Sequence, residues 1–349
     1  MPARDRWTYA RAGVDRTAVS SAISALVGRV PYRPPATHGR LLELEGHYAG
    51  LVRIGRETIA VTTDTVGTKT LLAEQFGWWE GVGEDIVGVN VNDLAAVGAR
   101  PAVLVDCILC ASPEPKTFAA IGRGLRRGLR RGRVALAGGE TAVVPDLVRG
   151  TDLGATAVGF FPRGRRPVTG ERIRAGDVVL GVPSNGFHAN GFTLVRRLLS
   201  AHSVPIDRPR AASRVPLGRE LLTPGRFYVD VSEALADRAT THGLAHISGG
   251  GVRNLVRLNS RVRFELDRWP KPAGLFSWIQ ELGGLAPSEL YETFNAGIGF
   301  VAVVSRTAVE PTMAALRRAG VHDARPVGRV VPGRGVALPH VGIEYDSYS

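Results

Sequence analysis

The sequence predicts a globular protein of two domains that mixes helices and strands, in an α/β or α+β arrangement. Its 349 residues are enough for two domains of ordinary size, each with its own core. Strand-like and helix-like runs alternate in both halves, without a dinucleotide-binding signature. Between the halves, residues 162–177 combine prolines, glycines and charges, which is typical of an inter-domain connection. We therefore predict an amino-terminal domain over 1–165 and a carboxyl-terminal domain over 166–349.

The elements of the first half follow from β-branched runs and from apolar periodicity. The predicted strands are 58–66, 101–109, 134–140 and 152–161, and the predicted helices are 85–98 and 117–132. In the last helix Phe118, Ile121, Leu125 and Leu129 recur every three or four residues, which leaves arginines on the opposite face. We interpret that face as a solvated surface, with RNA binding as the alternative.

The second half repeats the alternation. Its predicted strands are 177–183 and 245–248, and its predicted helices are 190–200, 249–258 and one around 226–240. Residues 201–218 read as an internal loop. No internal repeat of the length found in solenoids is visible.

Charge and composition limit the classes of function. The formal net charge is +12, and only three of the 44 basic residues are lysines. A basic surface attracts anionic ligands, and phosphorylated metabolites satisfy it as well as nucleic acid does. No nucleic-acid motif accompanies the charge, so we consider nucleic acid an unlikely partner. No apolar run could cross a membrane and no secretion signal is visible, so we expect a cytoplasmic enzyme.

The two cysteines, Cys107 and Cys110, lie in an apolar stretch as CILC. A zinc site needs four ligands and no second pair exists, so a zinc site is excluded. In a strand the two side chains would point to opposite faces, because their separation is odd. We expect two buried, inert thiols, with a redox pair as the alternative.

Polar clusters stand at ends of predicted strands or beside predicted helices, where catalytic groups commonly lie. In the first cluster, over residues 62–69, Asp64 offers a carboxylate to Mg²⁺, which prefers oxygen ligands. Gly67 lets the backbone approach a phosphate, while Thr68 and Lys69 supply a hydroxyl group and a cation.

Two further clusters in the first half add carboxylates. Asn92 and Asp93 stand side by side, and Gly138 and Gly139 permit an unusual backbone before Glu140. Together the clusters provide three acids and one lysine. Phosphoryl transfer from ATP needs such a set, because Mg²⁺ and positive groups must offset charge on the transferred group. Neither a Walker loop nor a protein-kinase set occurs.

Three loops of the second half carry further candidate groups. Residues 184–191, SNGFHANG, form a glycine-bounded turn that enters a helix, and residues 245–251, AHISGGG, place a triple glycine at the start of another. The free N–H groups of that second start could hold a phosphate. Residues 293–299, TFNAGIG, precede a strand. The polar and glycine candidates in these loops are Ser184, Asn185, His188, Asn190, His246, Gly249, Gly250, Gly251, Thr293 and Asn295.

These motifs, taken in order, resemble those of a known family. DTVGTK, VNDLAAVGARP, GGETA, SNGFHANGFTLVRRLL, AHISGGG and TFNAGIGF together resemble the phosphoribosylformylglycinamidine cyclo-ligases, the aminoimidazole ribonucleotide synthetases of purine biosynthesis, in their compact archaeal form. The resemblance runs from about Tyr9 to about Glu344. It implies a two-domain α+β subunit whose amino-terminal domains pair in a homodimer. It also implies ATP and Mg²⁺ as cofactors, between the domains and at the dimer interface.

The resemblance also implies a reaction and roles for residues. ATP phosphorylates the formyl amide oxygen of formylglycinamidine ribonucleotide, and the amidine-derived nitrogen then closes the imidazole ring. Asp64, Asp93 and Glu140 correspond to the acids that hold magnesium and nucleotide. The remaining nucleotide-binding positions are Gly67, Thr68, Asn92, Gly138, Gly139 and Thr141. The implied catalytic positions are Lys69, His188, Asn190 and His246, and the substrate-binding positions are Ser184, Asn185, Gly249, Gly250, Gly251, Thr293 and Asn295.

One departure from the family pattern concerns the first motif. Thr65 stands where the family usually has glycine, and a threonine would be strained there if the backbone needed a positive φ. The main alternative is a relative on the same scaffold with another substrate, such as a thiamine-monophosphate kinase. A nonenzymatic RNA-binding protein is the more distant alternative.

Overall fold

The computed structural model describes residues 6–29, 35, 38–42 and 47–348. Its strands belong to two sheets, one from each half of the chain. The strands are β1 (Arg40–Leu42), β2 (Gly50–Ile54), β3 (Glu57–Thr65), β4 (Arg100–Cys110), β5 (Ala135–Val143), β6 (Thr151–Phe160), β7 (Val178–Pro183), β8 (Thr241–His246), β9 (Arg263–Glu265), β10 (Ile298–Val304), β11 (Arg325–Val331), β12 (Gly335–Leu338) and β13 (Ile343–Tyr345).

Helices pack against both sheets. The α-helices are α1 (Arg16–Val27), α2 (Lys69–Phe76), α3 (Glu80–Ala96), α4 (Pro115–Gly132), α5 (Phe192–Ala201), α6 (Leu217–Leu221), α7 (Val229–Leu235), α8 (Leu275–Gly283), α9 (Pro287–Thr293) and α10 (Val309–Arg318). Short 3₁₀ helices span Gly251–Arg257, Arg306–Ala308 and Pro339–Val341. No helix in these described parts of the chain combines the length and the apolarity that a membrane span needs.

The first sheet has the strand order β1-β2-β3-β6-β4-β5, and the second has the order β13-β12-β9-β11-β7-β10-β8. Within the first sheet only β4 and β5 pair in parallel. β10, which lies between β7 and β8, is buried along its whole length, and five of its seven residues are β-branched or aromatic. The mixture of helices with largely antiparallel sheets confirms the predicted α+β class.

Helix α3 lies between the two halves and is buried on nearly every side. It packs against β3 and β6 of the first sheet, against α4, and against β8 and α7 of the second half. Glycines allow the close approach of α4, since a Cβ at Gly124 would lie 2.2 Å from the carbonyl oxygen of Glu80. Polar side chains on α3 are therefore placed between the domains, where they must find partners.

Most predicted elements of the first half are confirmed, with small changes of boundary. In the second half the helix expected around 226–240 is only α7, Val229–Leu235, and the helix expected over 249–258 is a 3₁₀ helix. Each sheet lies on its own side of residue 165, whereas residues before α1 contact the second half, where the N–H of Trp7 donates to Gly283 O at 3.3 Å. The boundary at 165 remains a prediction.

The expectation of two buried thiols is wrong for one of them. Cys107 is exposed and Cys110 is buried, as expected for two strand residues that face opposite ways. Cys107 shares a face of β4 with exposed Val105, whereas the opposite face, which carries Leu104 and Cys110, is buried. The large apolar side chains exposed on β4 and β5 are Val105, Leu136 and Val143.

Candidate active site

Asp64, Asp93 and His246 meet where the two halves join, although each comes from a different element. Asp64 is the penultimate residue of β3, Asp93 belongs to α3, and His246 is the last residue of β8. His246 Nδ1 lies 2.8 Å from Asp93 Oδ1. Asp64 is close enough to both groups for their charges to affect its ionisation. The site therefore contains two carboxylates and an imidazole.

The carboxyl group of Asp64 is easier to protonate than an ordinary aspartate. Burial, followed by the negative charge of Asp93, raises its pKa to about 6. The backbone N–H of Thr65 donates to Asp64 Oδ1 at 2.7 Å and partly opposes that shift. Thr65 is extended, at the end of β3, and is not among the residues with positive φ. The strain considered for Thr65 is therefore absent, and the left-handed residue of the motif is Gly67, at φ 61°.

A second imidazole lies beside the first. The rings of His188 and His246 are stacked with centroids 6.0 Å apart, and His188 Nε2 lies 3.4 Å from the hydroxyl group of Tyr228. Burial, followed by the charges of neighbouring groups, holds the pKa of His188 well below its usual range, so its ring is neutral. His188 Nδ1 and His246 Nε2 are buried without a hydrogen-bond partner among the described residues.

Lys69 is fully buried and its ammonium group points away from open space. Nζ lies 2.6 Å from Asp85 Oδ2 and donates to the carbonyl oxygens of His188 at 2.7 Å and Thr223 at 3.2 Å. The face of the Phe192 ring covers it at 5.0 Å. In this arrangement Lys69 joins the first half to two loops of the second, and its three polar partners are protein oxygens. The phosphate contact expected from the sequence stays a prediction. Thr68, before it, shares a hydrogen bond of 2.9 Å with Thr193.

Two side chains of α3 hold the segment that precedes α7. Asn92 Nδ2 donates to Arg226 O at 2.9 Å, and Asn92 Oδ1 accepts from the N–H of Tyr228 at 2.8 Å. Asp85 Oδ1 accepts from the N–H of Gly225 at 2.8 Å. The amide of Asn92 thus has inter-domain partners in place of the expected nucleotide. Sequence reasoning missed Asp85, whose only signal was an acidic residue within a predicted apolar helix.

The third expected magnesium ligand is not assembled with the other two. Glu140 lies on β5, and the strand order separates β5 from β3 by β6 and β4. Three inter-strand spacings amount to roughly 14 Å, so Glu140 cannot share an ion with Asp64 in one chain. Within residues 6–29, 35, 38–42 and 47–348, no three His, Cys, Asp or Glu side chains form a metal-binding group. Gly138, Gly139 and Thr141 are exposed on the same edge strand as Glu140.

The polar groups of the 184–191 loop mainly stabilise neighbouring loops. Ser184 Oγ donates to Asn295 Oδ1 at 2.7 Å, and Asn295 Nδ2 donates to Gly186 O at 2.8 Å. Asn185 Nδ2 donates to Pro224 O at 2.7 Å. These bonds place the loops of the expected substrate side next to one another. They also show that Ser184 and Asn295 each have a protein partner.

The triple glycine lies beside the same loops and is tightly enclosed. A Cβ at Gly249 would lie 3.0 Å from Asn190 Oδ1, and one at Gly251 would lie 1.9 Å from Tyr291 O. The N–H of Gly251 already donates to Ser248 O at 3.0 Å, so it is not the free donor that the sequence suggested. The backbone of Gly250, at φ 98°, is next to the ring of Tyr348.

Thr293 lies on the other side of that loop, at the end of α9. Its hydroxyl oxygen accepts from Arg16 Nη2 at 2.7 Å and donates to Glu289 Oε1 at 3.1 Å. The start of α1 therefore contacts the second half beside the expected substrate loops. Thr293 is buried, and both of its contacts are to protein.

The two halves of the chain match the two domains of one protein family. Residues 46–161 match the family model described as AIR synthase related protein, N-terminal domain. Residues 174–340 match the model described as AIR synthase related protein, C-terminal domain. Together the two models account for most of the chain.

Curated relatives match over nearly the full length. The phosphoribosylformylglycinamidine cyclo-ligase of Thermococcus kodakarensis is 40% identical over 340 residues, which are 97% of this chain and 99% of that protein. The protein of the same name from Methanosarcina barkeri is 37% identical over 339 residues, 97% of this chain and 98% of that one. A solved structure of AaThiL complexed with AMPPCP and TMP matches with a TM-score of 0.65 at 18% identity, over 95% of both chains, which shows a shared fold.

Proposed function

The chain belongs to the AIR synthase related family, and on that premise we propose that Asp64, Asp93 and His246 form its reaction centre. Its function is that of a phosphoribosylformylglycinamidine cyclo-ligase, the ATP-dependent closure of the aminoimidazole ring in purine biosynthesis. The observation that supports the proposed centre is the convergence of two carboxylates and an oriented histidine from both domains. Perturbed ionisation at a domain junction is typical of functional sites.

The reaction requires activation of a poor leaving group. The formyl amide oxygen of formylglycinamidine ribonucleotide takes the terminal phosphoryl group of ATP, with release of ADP. The amidine-derived nitrogen then attacks the activated carbon, phosphate leaves, and the imidazole ring closes. Holding the two reacting ends of one substrate together makes the second step intramolecular, which is a large contribution to the rate.

Asp64 and Asp93 fit a divalent cation that arrives with the nucleotide. The negative charge of Asp93 disfavours the ionisation of Asp64, and a cation between the two carboxylates would remove that cost. Mg²⁺ in nucleotide sites is usually bound by one or two carboxylates together with phosphate oxygens, so a third protein ligand is not required. When bound, Mg²⁺ would offset the charge of the transferred phosphoryl group.

His246 is suited to accept a proton during ring closure. If its Nδ1–H donates to Asp93, the lone pair is on Nε2, which is buried and has no described protein partner. We assign Nε2 to the proton that the attacking nitrogen loses. The neutral ring of His188 beside it would orient the substrate without competing for that proton.

Lys69, Asp85 and Asn92 are positioning residues in this proposal. Their partners are the backbone of His188, Thr223 and the segment that leads into α7. They hold the loop of His188 at a fixed place relative to the first domain. Reactive groups need placement within a fraction of an ångström, so these buried bonds support catalysis without contact to substrate.

We also propose a homodimer in the cytoplasm. Strand β5 ends the first sheet and is uncovered, and it exposes the apolar side chains of Leu136 and Val143. An exposed apolar edge strand is normally covered in a stable protein, and a second copy would cover it. Pairing through β5 would place Glu140 at the interface, where the family resemblance expects nucleotide.

The proposed function is tested by incubating the purified protein with ATP, Mg²⁺ and formylglycinamidine ribonucleotide, and measuring ADP and aminoimidazole ribonucleotide together. We expect the two products in equal amounts. Thiamine monophosphate serves as the control substrate, and we expect no ADP with it above background. Phosphorylation of thiamine monophosphate without any aminoimidazole product would overturn the assignment.

A further inference from the structure

A second cavity lies at the junction of the two domains, away from the reaction centre. Its volume is about 680 Å³, and we name it the junction cavity. Its walls are the inter-domain connection and the turn between α7 and β8. The lining residues are Pro162, Arg163, Gly164, Arg165, Arg166, Pro167, Thr169, Gly170, Glu171, Arg172, Ala236, Asp237, Arg238, Ala239 and His242.

The acids near this cavity are largely occupied by one buried arginine. Arg165 donates to both oxygens of Asp237, each at 2.7 Å, and to Glu233 at 3.2 Å. Glu233 is shared with Arg100, at 2.8 Å. These carboxylates are therefore not available to neutralise the other arginines that line the cavity.

Several cations of the cavity lack a carboxylate partner. Arg163 and Arg166 are exposed and form no ion pair or hydrogen bond with the described part of the chain. Among the described residues, the guanidinium group of Arg172 donates only to the carbonyl oxygens of Ala239 and Thr241, and that of Arg238 donates only to Ala234 O. Two acids line the cavity, and Arg165 pairs with Asp237 but not with Glu171. Like charges gathered in a concave wall repel one another unless an anion lies between them.

A buried histidine adds a directed polar group. His242 is 8% exposed, and its Nδ1 lies 2.7 Å from Asp177 Oδ2. That bond leaves Nε2 as the free nitrogen of a ring that lines the cavity. Asp177 also accepts the N–H of Arg174 at 3.0 Å, so the ring is held in place. On the other side of the cavity the N–H of Arg165 donates to Pro162 O at 2.8 Å and closes a turn in the connection.

We propose that the junction cavity binds a small phosphate compound, either pyrophosphate or a sugar phosphate, at a site separate from the reaction centre. Guanidinium groups bind phosphate oxygens in pairs, and Arg163, Arg166 and Arg238 have donors free for such bonds. No Phe, Tyr or Trp side chain lines the cavity, so a nucleotide base would find no aromatic surface to stack on apart from the buried ring of His242. The concave shape suits a compact anion better than the backbone of a nucleic acid. A ligand there would join the connection to the second domain.

The test measures binding of pyrophosphate without Mg²⁺, at constant ionic strength, by calorimetry and by the thermal midpoint. Four full-length proteins are compared: the wild type, R163A/R166A, the control R317A/R318A and D64N. The control removes the same charge from exposed positions of α10. Inorganic phosphate and ribose 5-phosphate are titrated in parallel to distinguish the two classes of ligand.

We expect R163A/R166A to weaken binding of the preferred anion by roughly tenfold or more, because charge-assisted hydrogen bonds are lost. R317A/R318A and D64N should bind as the wild type does. In the wild type, the bound anion should protect Arg163 and Arg166 from modification by phenylglyoxal, as measured by mass spectrometry. This measurement requires no variant. Equal binding by R163A/R166A, an equal loss in the control, or protection by RNA but by none of the small anions would overturn the proposal.

Discussion

Lys69 Nζ donates a hydrogen bond to the backbone carbonyl oxygen of His188, 2.7 Å away, and so connects the first signature motif to the second domain. The same ammonium group pairs with Asp85, and both side chains are at most 1% exposed. A buried lysine with three oxygen partners has little freedom to reach a phosphate. The positioning role that we propose for Lys69 rests on this geometry, which a motif alone cannot reveal.

We expect K69M to destabilise the protein by about 3–5 kcal/mol, because it leaves the charge of Asp85 buried and unpaired. The measurement is the free energy of unfolding in urea. K116M is the matched control, since Lys116 is exposed, and should change little. A K69M protein that is as stable as the wild type but cannot use ATP would indicate a direct phosphate role instead.

D64N should lower turnover at least about a hundredfold while the protein stays folded, because metal-assisted charge stabilisation is lost. Its thermal midpoint should equal or exceed that of the wild type, since repulsion from Asp93 is relieved. D152N is the control, because Asp152 makes the same local bond, accepting the N–H of the next residue at 2.9 Å. Unchanged turnover in D64N would exclude the proposed metal role.

We expect the effects of substituting Asp93 and His246 on turnover to be non-additive. We expect D93N and H246N each to lower turnover strongly, and the double variant to lose little more than the worse single one. D177N and H242N are the controls, because Asp177 and His242 form a similar pair, 2.7 Å apart, outside the reaction centre. They test whether the non-additive loss is special to Asp93 and His246. Fully additive losses for Asp93 and His246 would mean that the two side chains contribute independently.

We expect the free energy of unfolding to decrease in acid because of His47. Burial lowers the pKa of His47 to about 4, against an ordinary value of about 6.5, and Nδ1 has no described partner to receive an added proton. Around His47, Nε2 lies 3.2 Å from Thr169 O, and the ring makes an edge contact with the ring of Tyr48. The charges of Arg257 and Asp93 also affect the pKa of His47.

Between pH 6.5 and 4 the unfolded chain therefore binds a proton at His47 that the folded chain does not. The free energy of unfolding should fall as the pH drops through this window, by at most about 3 kcal/mol from this group. H47Q should flatten the fall, measured by urea unfolding at several pH values. H202Q, at an exposed position, should leave the pH dependence unchanged, and an equal slope in H47Q would refute the assignment.

The proposed homodimer depends on strand β5. V143D places a charge on its exposed apolar edge and should shift the protein to monomer in sedimentation velocity. V215D changes a similarly exposed valine elsewhere and should leave the assembly intact. Cys107 should react with a maleimide more slowly at high protein concentration than at low concentration. A wild-type protein that is monomeric at micromolar concentration would contradict the proposal.

Local patterns of the sequence predicted much of the fold. Strands β3, β4 and β6 and helices α3 and α4 were found from β-branched runs and apolar spacing, because such periodicity reflects burial directly. The helix expected around 226–240 was too long, and the one expected over 249–258 is a 3₁₀ helix. Glycines and tertiary packing determine those two segments more than local preference does.

The candidate site was predicted less completely, for a physical reason. Motifs identified Asp64, Asp93 and His246, but their meeting depends on contacts between residues more than 150 positions apart. The placement of Lys69 also depends on distant residues, because its ammonium group donates to the carbonyl oxygens of His188 and Thr223, 119 and 154 positions away. Glu140 resembled a ligand in the sequence, yet strand order keeps it away from Asp64, and strand order cannot be read from a motif.

The central claim is that this protein activates the amide oxygen of its substrate by phosphorylation. It is tested most directly with formylglycinamidine ribonucleotide that carries ¹⁸O in the formyl group, ATP and Mg²⁺, with the released phosphate examined by ³¹P NMR. The account predicts that each phosphate contains one ¹⁸O atom, because the oxygen leaves attached to phosphorus. Unlabelled phosphate, formed together with aminoimidazole ribonucleotide, would contradict it.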